Sequence, residues 1–293
     1  MRIEVNGVRL YVDVEGAGLV PDGPRMRSTP TLIALHGGPG IDHTVFKPAL
    51  SSLSDLAQIV YVDHRGNGRS DDGDPQHWTL AQWGDDVKAL CDVLGIERPI
   101  VFGASFGGYV AQAYATRHPE HPGGLILAST LARFEIEPIL AMFDHLGGPR
   151  ARSVAESYWQ NPTPERRGAY METCLPLYSA RGTGALSRCQ IRHDVAMRFN
   201  GPRNEQGRMD YRADLARIRC PVLVMAGDRD PMTPPACSET LVGSLPHDLV
   251  RFERFEGCGH SLLGDDTDRA IEVIRDFIQA DSMQWPAVRS DCA

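Results

Sequence analysis

The chain has 293 residues, 42% of them hydrophobic and 23% charged, with a formal net charge of -8. That balance fits soluble globular structure with a substantial core, and the acidic excess speaks against nucleic acid or a membrane surface as partner. No stretch approaches the ~20 apolar residues of a bilayer span. The seven cysteines are odd in number, scattered and without a Cys-x-x-Cys pair, a pattern of reduced thiols in a cytoplasmic setting rather than of disulfides or a zinc site.

The opening "MRIEVNGVRLYVDVEG" lacks the charged-then-apolar pattern of a signal peptide. It alternates polar and apolar residues, predicting short strands over 2–6 and 9–14 around the turn Asn6-Gly7. A polar, Pro/Gly-rich segment over 16–30 reads as irregular. Apolar runs at 31–35 and 58–62 follow, each closed by a glycine-rich loop. Leu80, Trp83, Val87, Leu90 and Leu94 recur at helical spacing over 80–96. "PIVFG" reads as a strand, 106–117 as a helix and 123–129 as a strand. The pattern resumes with a strand at 221–226, a helix at 236–243, a strand within "DLVRFERFEG" and an amphipathic helix over 267–280. The last dozen residues, with Pro286, read as a loose tail.

Strands alternating with helices define an α/β chain with a mostly parallel sheet flanked by helices. The stretch 133–208 breaks the alternation: short helical patches replace it. It reads as a helical cap inserted between two core parts, 1–132 and 209–293.

The chemistry centres on "VFGASFGGYVAQAYA" at 101–115. Gly103-Ala104-Ser105-Phe106-Gly107 matches Gly-x-Ser-x-Gly at a strand-to-helix turn, where small neighbours allow the serine a strained conformation and the helix amides favour negative charge. Ser105 is the candidate nucleophile. Of the ten histidines, His260 in "GCGH" follows the last predicted strand and a candidate acid, so it is the candidate base. His247 in "LPHD" reads as a surface turn. "GDRDP" offers Asp228 and Asp230. Asp230, deeper in the loop, is preferred as the acid that orients the imidazole, with Asp228 supporting the turn. Asp265, Asp266 and Asp268 read as favouring the start of the last helix. The oxyanion donors are expected to be the Phe106 amide and an amide of "HGGPG", Gly38 preferred and Gly37 possible. His36 could in principle serve as a base, but its place in a short strand-end loop favours a hydrogen-bonding role. Asp63, Arg65 and Arg69 in "DHRGNGRS" read as internal charge pairs rather than an anion site. No phosphate loop, flavin motif or metal-ligand spacing is present, so no cofactor and no metal are expected.

Taken as an ordered set, "HGGPG", "VDHRGNGRS", "GASFGG", "GDRDPMTP" and "GCGH" resemble the alpha/beta-hydrolase superfamily, and within it the proline iminopeptidase branch. The resemblance covers roughly 30–130 and 210–280. It implies an eight-stranded, mostly parallel sheet with a helical cap, with Ser105, Asp230 and His260 as triad and Gly38 and Phe106 as amide donors. Ala104 and Phe106 depart from the branch's Gly-Gly-Ser-Trp-Gly. The cap shows one fragment, "FNGPRNEQG", similar to a Gly-Pro-Asn-Glu segment of related aminopeptidases, which points to Glu205 as a contact for a substrate amine, with a plain surface loop as the other reading.

The expected activity is therefore serine hydrolysis of a small-molecule or short-peptide substrate. An aminopeptidase comes first, with a carboxylesterase or lactonase as alternative. A perhydrolase or haloperoxidase would use the same triad. A ligand-sensing binding protein on the same fold is the alternative of another class.

Overall fold

A computed structural model describes residues 1–182 and 184–280. The expected tail, with Pro286 and Cys292, lies outside the described residues. The chain begins with the antiparallel pair β1 (Arg2–Val5) and β2 (Val8–Glu15). Asn6 and Gly7 join them at φ of 45° and 75°, a conformation that Asn-Gly accepts with little strain. The segment expected to be irregular instead holds a second hairpin, β3 (Leu19–Asp22) with β4 (Arg25–Ser28). Its side chains are mostly exposed, so no apolar alternation marks it in the sequence.

Next come β5 (Thr31–Leu35), β6 (Gln58–Val62), α1 (Leu80–Leu94), β7 (Ile100–Ala104), α2 (Phe106–Arg117) and β8 (Gly124–Ala128). The chain then forms α3 (Ile136–Gln160), α4 (Pro164–Thr173), α5 (His193–Phe199) and α6 (Glu205–Arg208). It closes with β9 (Val222–Gly227), α7 (Pro235–Gly243), β10 (Val250–Phe255), α8 (Leu262–Asp265) and α9 (Thr267–Gln279).

Eight strands form one sheet in the order β1-β2-β6-β5-β7-β8-β9-β10. The run from β6 to β10 is parallel, and β2 joins β6 antiparallel. Strand alternation divides the core. Ile33, Leu35, Val101 and Val224 pack with residues of α1 and α2, while Leu32, Phe102, Leu223 and Met225 pack with residues of α9. Both faces are covered, which is why these strands read as unbroken apolar runs. The ends of α1 are set locally. The Thr79 hydroxyl accepts from the Gln82 N–H at 3.2 Å, and Gly95 ends the helix at φ 67°.

Between β8 and β9 the packing is of another kind. Inside α3, Gly148 sits at φ 72° before Pro149. A left-handed glycine followed by a residue with no N–H interrupts the helix and turns its second half. That half brings Tyr158 and Trp159 against Phe143 and Tyr170, and Met232 from the loop after β9 joins them in one buried cluster.

Candidate active site

The loops at the ends of β5, β7, β8, β9 and β10 converge beneath the helices between β8 and β9. Ser105 stands at the β7–α2 turn with φ 53° and ψ −118°, a strained backbone for any residue with a side chain. The turn persists because its surroundings leave no alternative. A Cβ at Gly107 would collide with the Leu35 carbonyl, and one at Gly103 with the backbone of Gly107. The Ser105 N–H donates to the Ala128 carbonyl at 2.9 Å, and the Thr130 hydroxyl donates to the Ser105 carbonyl at 2.9 Å.

Ser105 Oγ lies 2.9 Å from His260 Nε2, and His260 Nδ1 lies 2.8 and 3.0 Å from the two carboxylate oxygens of Asp230. The structure thus brings together three residues up to 155 positions apart. Asp230 is fully buried and also accepts from the Met232 and Thr233 N–H groups at 2.7 and 2.8 Å and from the Thr233 hydroxyl at 2.5 Å. Burial alone would push its carboxyl up. The His260 imidazole and the Thr233 donors outweigh burial and hold it below the ordinary carboxylate value. An imidazole held this way presents Nε2 to the hydroxyl as a proton acceptor. Asp228 is exposed, and its carboxylate accepts from the Gly257 N–H at 2.8 Å, pinning the turn after β10. His247 is exposed, as its turn position suggested.

The "HGGPG" loop runs beside the serine. A Cβ at Gly37 would stand 4.0 Å from Ser105 Oγ, and Gly38 lines the same cavity at φ 114°. The Gly38 and Phe106 N–H groups have no acceptor among the described residues, so both are available to a ligand. His36 is a strut rather than a participant. Its Nδ1 lies 2.8 Å from the Gly37 carbonyl, and its Nε2 accepts from the His64 N–H at 3.2 Å. Burial lowers its basicity. The charges of "DHRGNGRS" are satisfied internally. Arg65 donates to both oxygens of Asp86 at 2.8 and 2.7 Å, and Arg69 pairs with Asp42 at 2.9 Å. Asp63 accepts from the His43 and Arg69 N–H groups at 2.9 Å each.

Above the serine lies a cavity of about 230 Å³. Its lining includes Gly38, Ser105, Ser129 and His260 below, and Tyr158, Trp159, Arg167, Tyr170, Asn200 and Gln206 from the helical segment. Glu205 is not among the lining residues. Its carboxylate accepts from the Leu80 N–H at 3.1 Å, at the start of α1, and lies 3.5 Å from Arg208. The expected amine contact is corrected accordingly. In the short helix α6 the residue turned inward is the neutral neighbour Gln206, whose Oε1 accepts from the Gly201 N–H at 3.2 Å. No Asp or Glu among the described residues lines the cavity.

Sequence reading also missed how the histidine loop is held. The His260 N–H donates to the Tyr178 carbonyl at 2.6 Å, and the Tyr178 ring meets the imidazole edge-on with centroids 5.1 Å apart. Asp265, expected to favour the last helix, is instead a buried bracket. It accepts from the Gly259 N–H at 2.7 Å and from the Ser179 hydroxyl at 2.5 Å. It is Asp266 whose side chain caps α9, accepting from the Arg269 N–H at 3.4 Å. Nothing in the local sequence separates these two acids, because Ser179, which helps select Asp265, lies 86 positions away.

Among the described residues no cluster of His, Cys, Asp and Glu could hold a metal ion, and no helix is long and apolar enough to cross a membrane. Burial pushes the Cys91, Cys174, Cys220 and Cys237 thiols up to about 12, so none of these offers a thiolate.

A mostly parallel sheet flanked by helices, with a serine at a strained strand-to-helix turn, defines the class. Residues 30–267 match the family described as alpha/beta hydrolase fold, and the chain belongs to that family of hydrolases. It is similar to the proline iminopeptidase PfmaB of Pestalotiopsis fici, 29% identical over 92% of this chain and 99% of that protein. It is equally similar to RutD of Caulobacter sp. strain K31, whose name assigns it provisionally to carbamate hydrolysis: 29% identical over 86% of this chain and 90% of that one. Among solved structures, that of VinJ superposes with a TM-score of 0.76 at 25% identity, covering 95% of this chain and 97% of VinJ.

Proposed function

We propose that the protein is a serine hydrolase that cleaves a small carboxylic ester or lactone through an acyl-enzyme. The observation that carries this reading is the continuous hydrogen-bonded chain from Ser105 Oγ through His260 to Asp230, opening on an apolar-lined cavity. In this cycle Ser105 Oγ attacks the substrate carbonyl carbon as its proton passes to His260 Nε2. The Phe106 amide and an amide of the Gly37–Gly38 turn receive the oxyanion. The tetrahedral intermediate collapses, the carbon–oxygen bond to the leaving group breaks, and His260 returns the proton to the departing oxygen. Water then gives His260 a proton and attacks the acyl carbon, and Ser105 recovers its proton as the acid leaves. Asp230 keeps the Nδ1 proton on its own side throughout. Loss of one oxyanion donor costs roughly 10²–10³ in turnover. Residues 133–208 act as the cap that selects the acyl and leaving groups. Buried thiols at Cys91, Cys174, Cys220 and Cys237 support a cytoplasmic setting.

A second reading, amide cleavage beside a free amino terminus, is favoured by the likeness to PfmaB. It requires an anion to receive the ammonium group, and no carboxylate is among the described lining residues. An ester or lactone makes no such demand.

A fluorophosphonate probe should label Ser105, and Ser105→Ala should lose both the label and p-nitrophenyl ester turnover while its melting temperature stays at the wild-type value. Retained turnover in that variant overturns the mechanism. A panel of short esters, lactones and aminoacyl arylamides separates the two readings. Cleavage confined to arylamides with an unblocked amine would bring the aminopeptidase forward.

A further inference from the structure

The helical wall of the cavity carries polar groups that the protein itself leaves unmatched. Trp159 is 5% exposed and its Nε1–H has no partner at good hydrogen-bond geometry, with the Tyr170 hydroxyl as its polar neighbour; Asn200 is 6% exposed and its Oδ1 has no donor. Both line the cavity that contains Ser105. Arg167, half-buried in the same wall, is the one Arg, Lys, Asp or Glu among the described lining residues. Its guanidinium hydrogen-bonds the Tyr158 hydroxyl, and no carboxylate among the described residues pairs with it. A buried donor left unmatched is costly, and a ligand anion would satisfy it together with the half-buried cation.

The Asn200 amide fits the same picture. Its Nδ2 donates to the Tyr158 hydroxyl at 2.9 Å. Reversed end for end, the amide would accept from that hydroxyl and leave its NH2 unmatched instead. In that orientation every loose group of the wall is a donor.

We propose that Arg167, Trp159 and Asn200 form a carboxylate-binding subsite, so that the substrate carries a carboxylate at the end away from its scissile carbonyl. This deepens the ester or lactone reading and rests on it. One cation matches one negative charge; a phosphate dianion would leave a charge uncompensated in an apolar enclosure. The cavity, about 230 Å³, holds both the serine and the subsite. The substrate class is therefore the half-esters of short dicarboxylic acids and lactones bearing a carboxylate side chain. No acid among the described lining residues opposes that charge.

Binding measured without turnover keeps this inference separate from the hydrolytic mechanism. Ser105→Ala is titrated by calorimetry with the monomethyl and dimethyl esters of succinate, glutarate and adipate. The monoester of at least one length should bind roughly 10- to 100-fold more tightly than its neutral diester. Arg167→Met in the same background should remove that gap, and Arg167→Lys should retain part of it. Equal affinity of monoester and diester at every length, no binding by either, or a gap that survives Arg167→Met overturns the subsite. If wild-type protein fails to react with the fluorophosphonate while the binding gap is present, the hydrolytic reading falls and the subsite stands.

Discussion

The two walls of the cavity follow different rules. On the strand-end side, polar groups are matched by the protein. Asp230 is surrounded by donors, Asp63 and Asp42 hold the Arg69 loop, and His36 bridges Gly37 and His64. The exceptions there are His64 Nε2 and Ser129 Oγ. On the helical side, aromatic rings pack closely, yet Trp159 Nε1 and Asn200 Oδ1 are unmatched and Arg167 has no carboxylate partner among the described residues. The difference teaches where each demand is met. Groups that would move protons must be oriented before the substrate arrives, so the protein satisfies them. Groups that would recognise a substrate are completed by it.

The sharpest test of this contrast lies within one loop. Asp230→Asn should lower kcat by about 10⁴, because an amide favours the wrong imidazole tautomer. Asp228→Ala should cost about 1 kcal/mol of stability through loss of the Gly257 hydrogen bond and leave kcat within a few-fold. Steady-state kinetics with a p-nitrophenyl ester, paired with thermal melts, reads both, and the reverse pattern would exchange the two assignments.

A second test severs the link between the walls. Asp265 accepts from both Gly259 and Ser179. An amide cannot accept at both ends, so Asp265→Asn should free the histidine loop on one side. The expected loss in kcat is on the order of 10- to 100-fold, as small misplacements cost that much. A purely structural role would lower the melting temperature alone. A positioning role should also shift the pH profile of kcat/KM.

On the helical side the expected effects are smaller and of another kind. Trp159→Phe keeps the ring and removes the N–H. It should raise KM for a half-ester roughly tenfold and lower kcat by less. A fall in kcat with KM unchanged would place the indole among the groups that act in the transition state instead.

The last effect is on stability alone, as a pH slope. Burial pushes the His64 imidazole well below its ordinary value, and the neighbouring His36 adds to this; burial lowers His36 as well. The unfolded chain therefore takes up protons first as pH falls through about 6.5. Stability from these groups is complete above that pH and declines below it, by up to about 1.4 kcal/mol per pH unit for each. The depressed carboxyls of Asp63 and Asp230 add their own loss only below about 4. Melting temperatures from pH 7.5 to 5.0 should fall in the wild type and fall less in His64→Phe. A flat wild-type profile contradicts neutral buried imidazoles.

The sequence by itself determined what depends on neighbouring residues. Gly103 leaves the Ser105 turn few choices, because a side chain there meets the backbone of Gly107. The apolar runs at 31–35 and 58–62 are legible because both faces of the sheet are covered, and Asn6-Gly7 announces its turn through backbone conformation alone. Only the tertiary structure decided the rest. Whether Glu205 or Gln206 faces the cavity depends on the Leu80 amide, 125 positions away. Asp265 and Asp266 look alike until Ser179, 86 positions distant, selects one of them. The hairpin β3–β4 carries too little buried surface to leave a pattern. Local backbone demands are written in adjacent letters. Long-range hydrogen bonds and side-chain burial are properties of the packed chain, and no short stretch of sequence contains them.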